Sequence, residues 1–107
     1  MKGVRTVGRR NFIGRFSCTN HFLDMVWKRK VEIEEILPAL EASPKSKFSR
    51  YCLLIPLEKP AREGPDALLV KVKKGCLITT FFIRLGEYQG KNLKDHFVLS
   101  LIKYKTN

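Results

Sequence analysis

Acidic residues are scarce in this 107-residue chain, with ten Asp and Glu against 21 Lys and Arg, a formal charge of +11. Outside the second of the two helices predicted below they are few, so the multi-carboxylate site that a magnesium-dependent nuclease needs is hard to assemble. Long apolar runs are missing as well. No stretch approaches the roughly 20 residues that cross a bilayer, and no apolar segment follows the first charges as it does in a secretory signal. Cytoplasmic residence without membrane association is therefore the expectation. The sequence also lacks a phosphate-cradling glycine loop, a dinucleotide fingerprint, an H-E-x-x-H and a C-x-x-C pair. No cofactor is expected.

Cysteines number three, Cys18, Cys52 and Cys76, an odd count at wide spacing. That speaks for reduced thiols rather than a disulfide framework. Cys18 and His21 make a C-x-x-H pair, but Cys52 and Cys76 each lack a second ligand close by, as structural zinc sites usually have. Separate thiols and no metal are the reading.

What the chain does have is positive charge in a telling distribution. Residues 1–16 carry Lys2, Arg5, Arg9, Arg10 and Arg15 with no acid, whereas residues 17–43 hold three bases and five acids. Residues 67–107 return to eight bases and two acids. Lys and Arg that neutralise phosphates release condensed counterions, so the pattern points to a polyanion, most simply RNA or DNA. An apolar content of 44%, with seven Phe and one Trp, argues for a folded core.

The first 16 residues, with three glycines and scattered apolar positions, read as a basic arm that precedes a single domain over 17–107. From there the periodicity predicts a helix capped by Ser17 or Thr19, with Phe22, Leu23, Val26 and Trp27 as its buried stripe. A second helix follows, with Glu32, Glu34 and Glu35 in its first turn, and Pro38 should kink it or end it early. Arg50–Leu57 has strand length. Ala67–Lys73 and Cys76–Ile83 form a hairpin about Lys74-Gly75, with Val70 and Val72 alternating with Lys71 and Lys73. The tail beyond Leu93 carries both helical and alternating spacing, and a C-terminal helix is favoured. The fold class expected is α+β: two N-terminal helices packed on an antiparallel sheet of about four strands.

Metal-free RNA cleavage remains open to such a chain, because a histidine suits either proton-transfer role and Lys or Arg stabilises the crowded phosphorane. His21, near Asp24 and Lys28 on the first helix, is the candidate; His96 is the weaker one. Thr79 or Thr80 offers a hydroxyl toward a substrate phosphate. Arg5, Arg9, Arg10, Arg15, Lys71, Lys73 and Lys74 supply cations for a phosphate backbone, and Tyr51 and Tyr88, with Tyr104, supply aromatic faces for unstacked bases.

The order N-H-F-L-x-x-V-W-K-R, E-I-E-E-I-L-P-A-L, R-Y-C-L-L-I-P and V-K-V-K-K-G-C-L-I-T-T-F-F resembles the Barnase/EndoU/colicin/RelE-like nuclease superfamily over about residues 17–83. The resemblance implies an RNA-cleaving cleft on the sheet, with His21 as acid or base, Lys28 or Arg29 as phosphate contact, and Thr79 or Thr80 as the positioning hydroxyl. Where members often have arginine this chain has Met25, and Phe81-Phe82 replaces the usual polar residue after the threonine strand. Whether the chain is an enzyme stays open. The readings are a metal-independent endoribonuclease of toxin type, with an acidic antitoxin or immunity protein as partner, or a non-catalytic RNA- or ribosome-binding module. A phage or mobile-element adaptor that meets an acidic protein is the third.

Overall fold

Three short strands open the chain where its glycines and scattered apolar residues suggest a loose arm. The computed structural model describes residues 2–43, 49–87 and 96–106. Strands β1 (Arg5–Val7), β2 (Arg10–Ile13) and β3 (Phe16–Cys18) form an antiparallel meander. The two glycines that punctuate it are turn residues: Gly8 at φ +62° and Gly14 at φ +58° lead the two-residue connections Gly8-Arg9 and Gly14-Arg15. A glycine at the first central position is what a type II′ hairpin turn requires.

Helix α1 (Asn20–Lys28) begins at Thr19, whose Oγ1 accepts the Phe22 N–H at 3.0 Å. The Thr19 N–H also donates to the Leu77 carbonyl at 3.1 Å, so the cap ties the helix start to the sheet. At the other end Lys30 sits at φ +54°. The Val31 N–H reaches the Val26 carbonyl and the Lys30 N–H reaches that of Trp27, the Schellman pattern that closes a helix C-terminus. Helix α2 (Ile33–Ala42) buries Ile33, Ile36, Ala39 and Leu40 and continues past Pro38. The proline removes one rung of the ladder, and the buried stripe on both sides of it holds the helix together.

Strands β4 (Arg50–Pro56), β5 (Ala67–Lys73) and β6 (Cys76–Ile83) are antiparallel neighbours, and β7 (Phe97–Leu99) pairs parallel to β4. Lys74 and Gly75 both have positive φ, which makes the β5–β6 connection a type I′ turn. The expected sheet of about four antiparallel strands behind two N-terminal helices is thus corrected to one mixed sheet of seven, in the order β1-β2-β3-β6-β5-β4-β7. Three of its strands precede the helices, and the boundary placed after residue 16 falls inside β3. The tail forms β7 instead of a helix over its described residues, because Phe97, Val98 and Leu99 register with Cys52, Leu53 and Leu54. Residues 85–87 are helical. Among the described residues no helix is long and apolar enough to cross a membrane.

Alternate residues of a strand face opposite sides of the sheet. One side, which holds Leu53, Ile55, Leu68, Val70, Val72 and Leu77, packs with Phe22, Val26, Ile33, Ile36 and Leu40 of the helices into the main core. On the opposite side, Cys52, Leu54, Ala67, Leu69 and Ile83 form a smaller cluster with Phe81, Leu85 and Phe97 around it. Trp27, expected in the helix stripe, is instead 78% exposed.

Candidate nucleic-acid interface

No Asp or Glu occurs in any of the seven strands. On the side of the sheet away from α1 and α2 the strands therefore contribute only Lys and Arg as charged residues. There, Arg5 registers with Phe12, Phe12 with Ser17, Ser17 with Cys76, Cys76 with Lys73, and Lys73 with Arg50. One unbroken row thus crosses six strands from β1 to β4. At the usual strand spacing it spans about 24 Å.

The row is open to solvent: Arg5, Lys73 and Arg50 are exposed, and Phe12, Ser17 and Cys76 are half-buried. The Arg5 guanidinium lies 5.4 Å from the centre of the Phe12 ring, which places both on the same side. Arg10, opposite Val7, extends the cationic surface beside Phe12. Lys71 and Thr79, paired across β5 and β6, lie next along the same side. The sheet end near the row adds the turn residues Arg15 and Lys74, since β3 runs parallel to β6 and brings the Gly14-Arg15 and Lys74-Gly75 turns to one end.

Of the binding residues read from the sequence, Arg5, Arg10, Lys71 and Lys73 meet on this surface, and Arg9, Arg15 and Lys74 stand at turns. Tyr51 does not join them. It is buried on the helix side, as is Tyr104, whose hydroxyl accepts the Glu32 N–H at 2.8 Å. Tyr88 lies outside the described residues. Phe12, Ser17, Arg50 and Cys76 were missed, and the signal for Phe12 was its alternation with Arg10 between the two glycine turns.

The candidate catalytic residues are not gathered. His21 and Lys28 are exposed on α1, seven residues apart, or about 10 Å along the helix. Thr79 is on the far side of the sheet, and the Thr80 hydroxyl, fully buried, donates to the Leu69 carbonyl at 2.8 Å. Arg29 donates from Nη1 to the Thr80 carbonyl at 2.7 Å, with its guanidinium 5.5 Å from the Phe81 ring centre. No described hydrogen bond joins any two of His21, Lys28 and Thr79.

The cysteines divide between the two sides: Cys18 faces the helices, and Cys52 and Cys76 face away. Burial pushes the Cys18 thiol up, and the neighbouring Cys76 adds to the shift. Among the described residues no group of three or more His, Cys, Asp or Glu is placed to hold a metal ion.

Fold and surface together define a class in physical terms, a seven-stranded mixed sheet with α1 and α2 on one face and, on the other, strands whose only charged residues are Lys and Arg. Compared with known proteins, the chain matches no family model, no curated protein and no solved structure.

Proposed function

We propose that this protein is a non-catalytic RNA-binding module that takes single-stranded RNA on the open side of its sheet. The observation that carries the reading is the row Arg5–Phe12–Ser17–Cys76–Lys73–Arg50. Cations at its two ends meet phosphates, and the Phe12 ring between them offers a stacking platform for an unstacked base. A span of about 24 Å suits a short stretch of strand, near the lower end of the about 4–16 nucleotides bound by other sheet-based sites. The strands contribute no carboxylate to repel the backbone.

Binding is favoured over cleavage because the sheet lies between His21 and Thr79, and the Thr80 hydroxyl is held in the core. An acid, a base and a phosphate ligand must converge within hydrogen-bond reach of one reacting group.

Cys76 supplies the test. It stands in the middle of the row, whereas Cys18 and Cys52 are buried. With native protein, a maleimide should label Cys76 first, and single-stranded RNA should slow that reaction in proportion to its occupancy. Single-stranded DNA in a parallel series reports whether the 2′-hydroxyl matters. Labelling of Cys76 at an unchanged rate under saturating RNA would overturn the reading.

A further inference from the structure

A second surface, on the helix side of the sheet, has a different chemistry. Where α1 hands over to α2, a groove of about 640 Å³ is lined by Lys2, Val26, Trp27, Lys28, Lys30, Val31, Glu32 and Ile33. Its floor is apolar because the helix closure sets Val26 and Val31 against each other, the hydrophobic contact that accompanies a Schellman motif. Its wall is the indole of Trp27, 78% exposed beside that floor. The rim brings three ammonium groups and one carboxylate, and Lys2 also pairs with Glu34 at 3.0 Å.

Three features call for explanation together. A large aromatic side chain is left in water although α1 has a core to offer. Two lysines follow it in sequence, at positions 28 and 30. One of them, Lys30, occupies a left-handed conformation that glycine would adopt without strain. A ligand that joins a flat ring to an anion satisfies all three: the ring stacks on the indole, and the anion meets the ammonium groups. An acidic peptide would use the cations but leave the indole face without a planar partner. The volume falls within the ~300–1,000 Å³ of sites for small organic ligands.

We infer that this groove binds a nucleotide, with the base stacked on Trp27 over the Val26, Val31 and Ile33 floor and the phosphate held by Lys28 and Lys30. The site is separate from the sheet row and does not rest on it.

Trp27 is the sole tryptophan of the chain, so its fluorescence reports on the groove directly. Titration with AMP and ADP, excited at the red edge of the indole band where nucleotides scarcely absorb, should give saturable quenching. Adenosine should bind about tenfold more weakly, as expected when a charge-assisted contact is lost, and inorganic phosphate should not quench. Lys28→Ala should erase the advantage of AMP over adenosine. Lys30→Gly should do the same while raising the urea midpoint by relieving the left-handed lysine, so its loss of binding cannot be traced to unfolding. The variant Arg5→Ala/Lys73→Ala should keep AMP binding while weakening RNA, which separates failure of this site from failure of the sheet row. No saturable quenching by either nucleotide, equal affinity for adenosine and AMP, or AMP affinity unchanged in Lys30→Gly would overturn the inference.

Discussion

Arg29 and Thr80 are joined by a 2.7 Å hydrogen bond from a guanidinium Nη1 to a main-chain carbonyl oxygen. β3 registers with β6 only at Cys76 and Leu77, so among the described residues the β6 edge beyond that point lacks a strand neighbour. Arg29, swinging back from the end of α1, occupies that edge and lies against the Phe81 ring. An exposed strand edge invites pairing with other chains, and a charged side chain laid along it blunts that tendency. Arg29→Ala should therefore lower stability by about 1 kcal/mol, given one charge-assisted bond and a solvent-exposed cation–π contact. The variant should also aggregate more readily, by light scattering, with RNA affinity changed less than twofold. A variant as stable and as monodisperse as the parent would remove this role.

Tyr104 links the tail to the helix layer. Its buried hydroxyl accepts the Glu32 N–H, and burial raises the phenol above its ordinary value of 10.0. The hydrogen bond from Glu32 works in the other direction, and the Glu32 and Glu35 charges add to the rise. A folded-state value above the unfolded one means that the folded chain holds the proton more tightly. The stabilisation is complete below about pH 10 and is lost as pH climbs through the folded value. Tyr104→Phe should cost about 1–2 kcal/mol at neutral pH, because the Glu32 N–H loses its acceptor. It should also lose less of its remaining stability than the parent above pH 10, measured by urea unfolding across that range. Parallel alkaline losses in the two proteins would contradict the assignment.

His21 is exposed near the start of α1, on the helix side. His21→Ala should leave stability within about 0.5 kcal/mol and RNA affinity unchanged. RNA incubated with the parent protein should be recovered at full length. Cleavage by the parent that disappears in His21→Ala would restore the nuclease reading and displace the binding one.

Several parts of the fold were legible because one local signal dominated each. One of the two caps considered, Thr19, starts the first helix, Lys74-Gly75 turns the β5–β6 hairpin, and the apolar run of Cys76–Ile83 makes a strand. The first 16 residues were not legible, because strands of three or four residues are too short for alternation to declare itself. Gly8 and Gly14 read as looseness when they are turn positions. Trp27 stands four residues after Leu23, yet it lies about 100° round the helix from Val26 and falls outside the core. The Phe97–Leu101 spacing fits a helix as well as a strand, and only the register with Cys52–Leu54 decides between them. The candidate interface was half legible. Lys71, Lys73 and Arg5 could be named from charge, but the row needs β3 to lie parallel beside β6, a long-range pairing that no local pattern encodes.

The sheet row is the central claim, and its salt dependence tests it most directly. Each phosphate contact on a single strand contributes about 0.7 to the slope of log affinity against log salt. Removing Arg5, Arg50 and Lys73 together, as Arg5→Ala/Arg50→Ala/Lys73→Ala, should weaken single-stranded RNA binding and flatten that slope by about 2. The far-ultraviolet circular dichroism should be unchanged, since all three side chains are exposed. An unaltered slope in the folded triple variant would show that the phosphates are held elsewhere, and the account would fail.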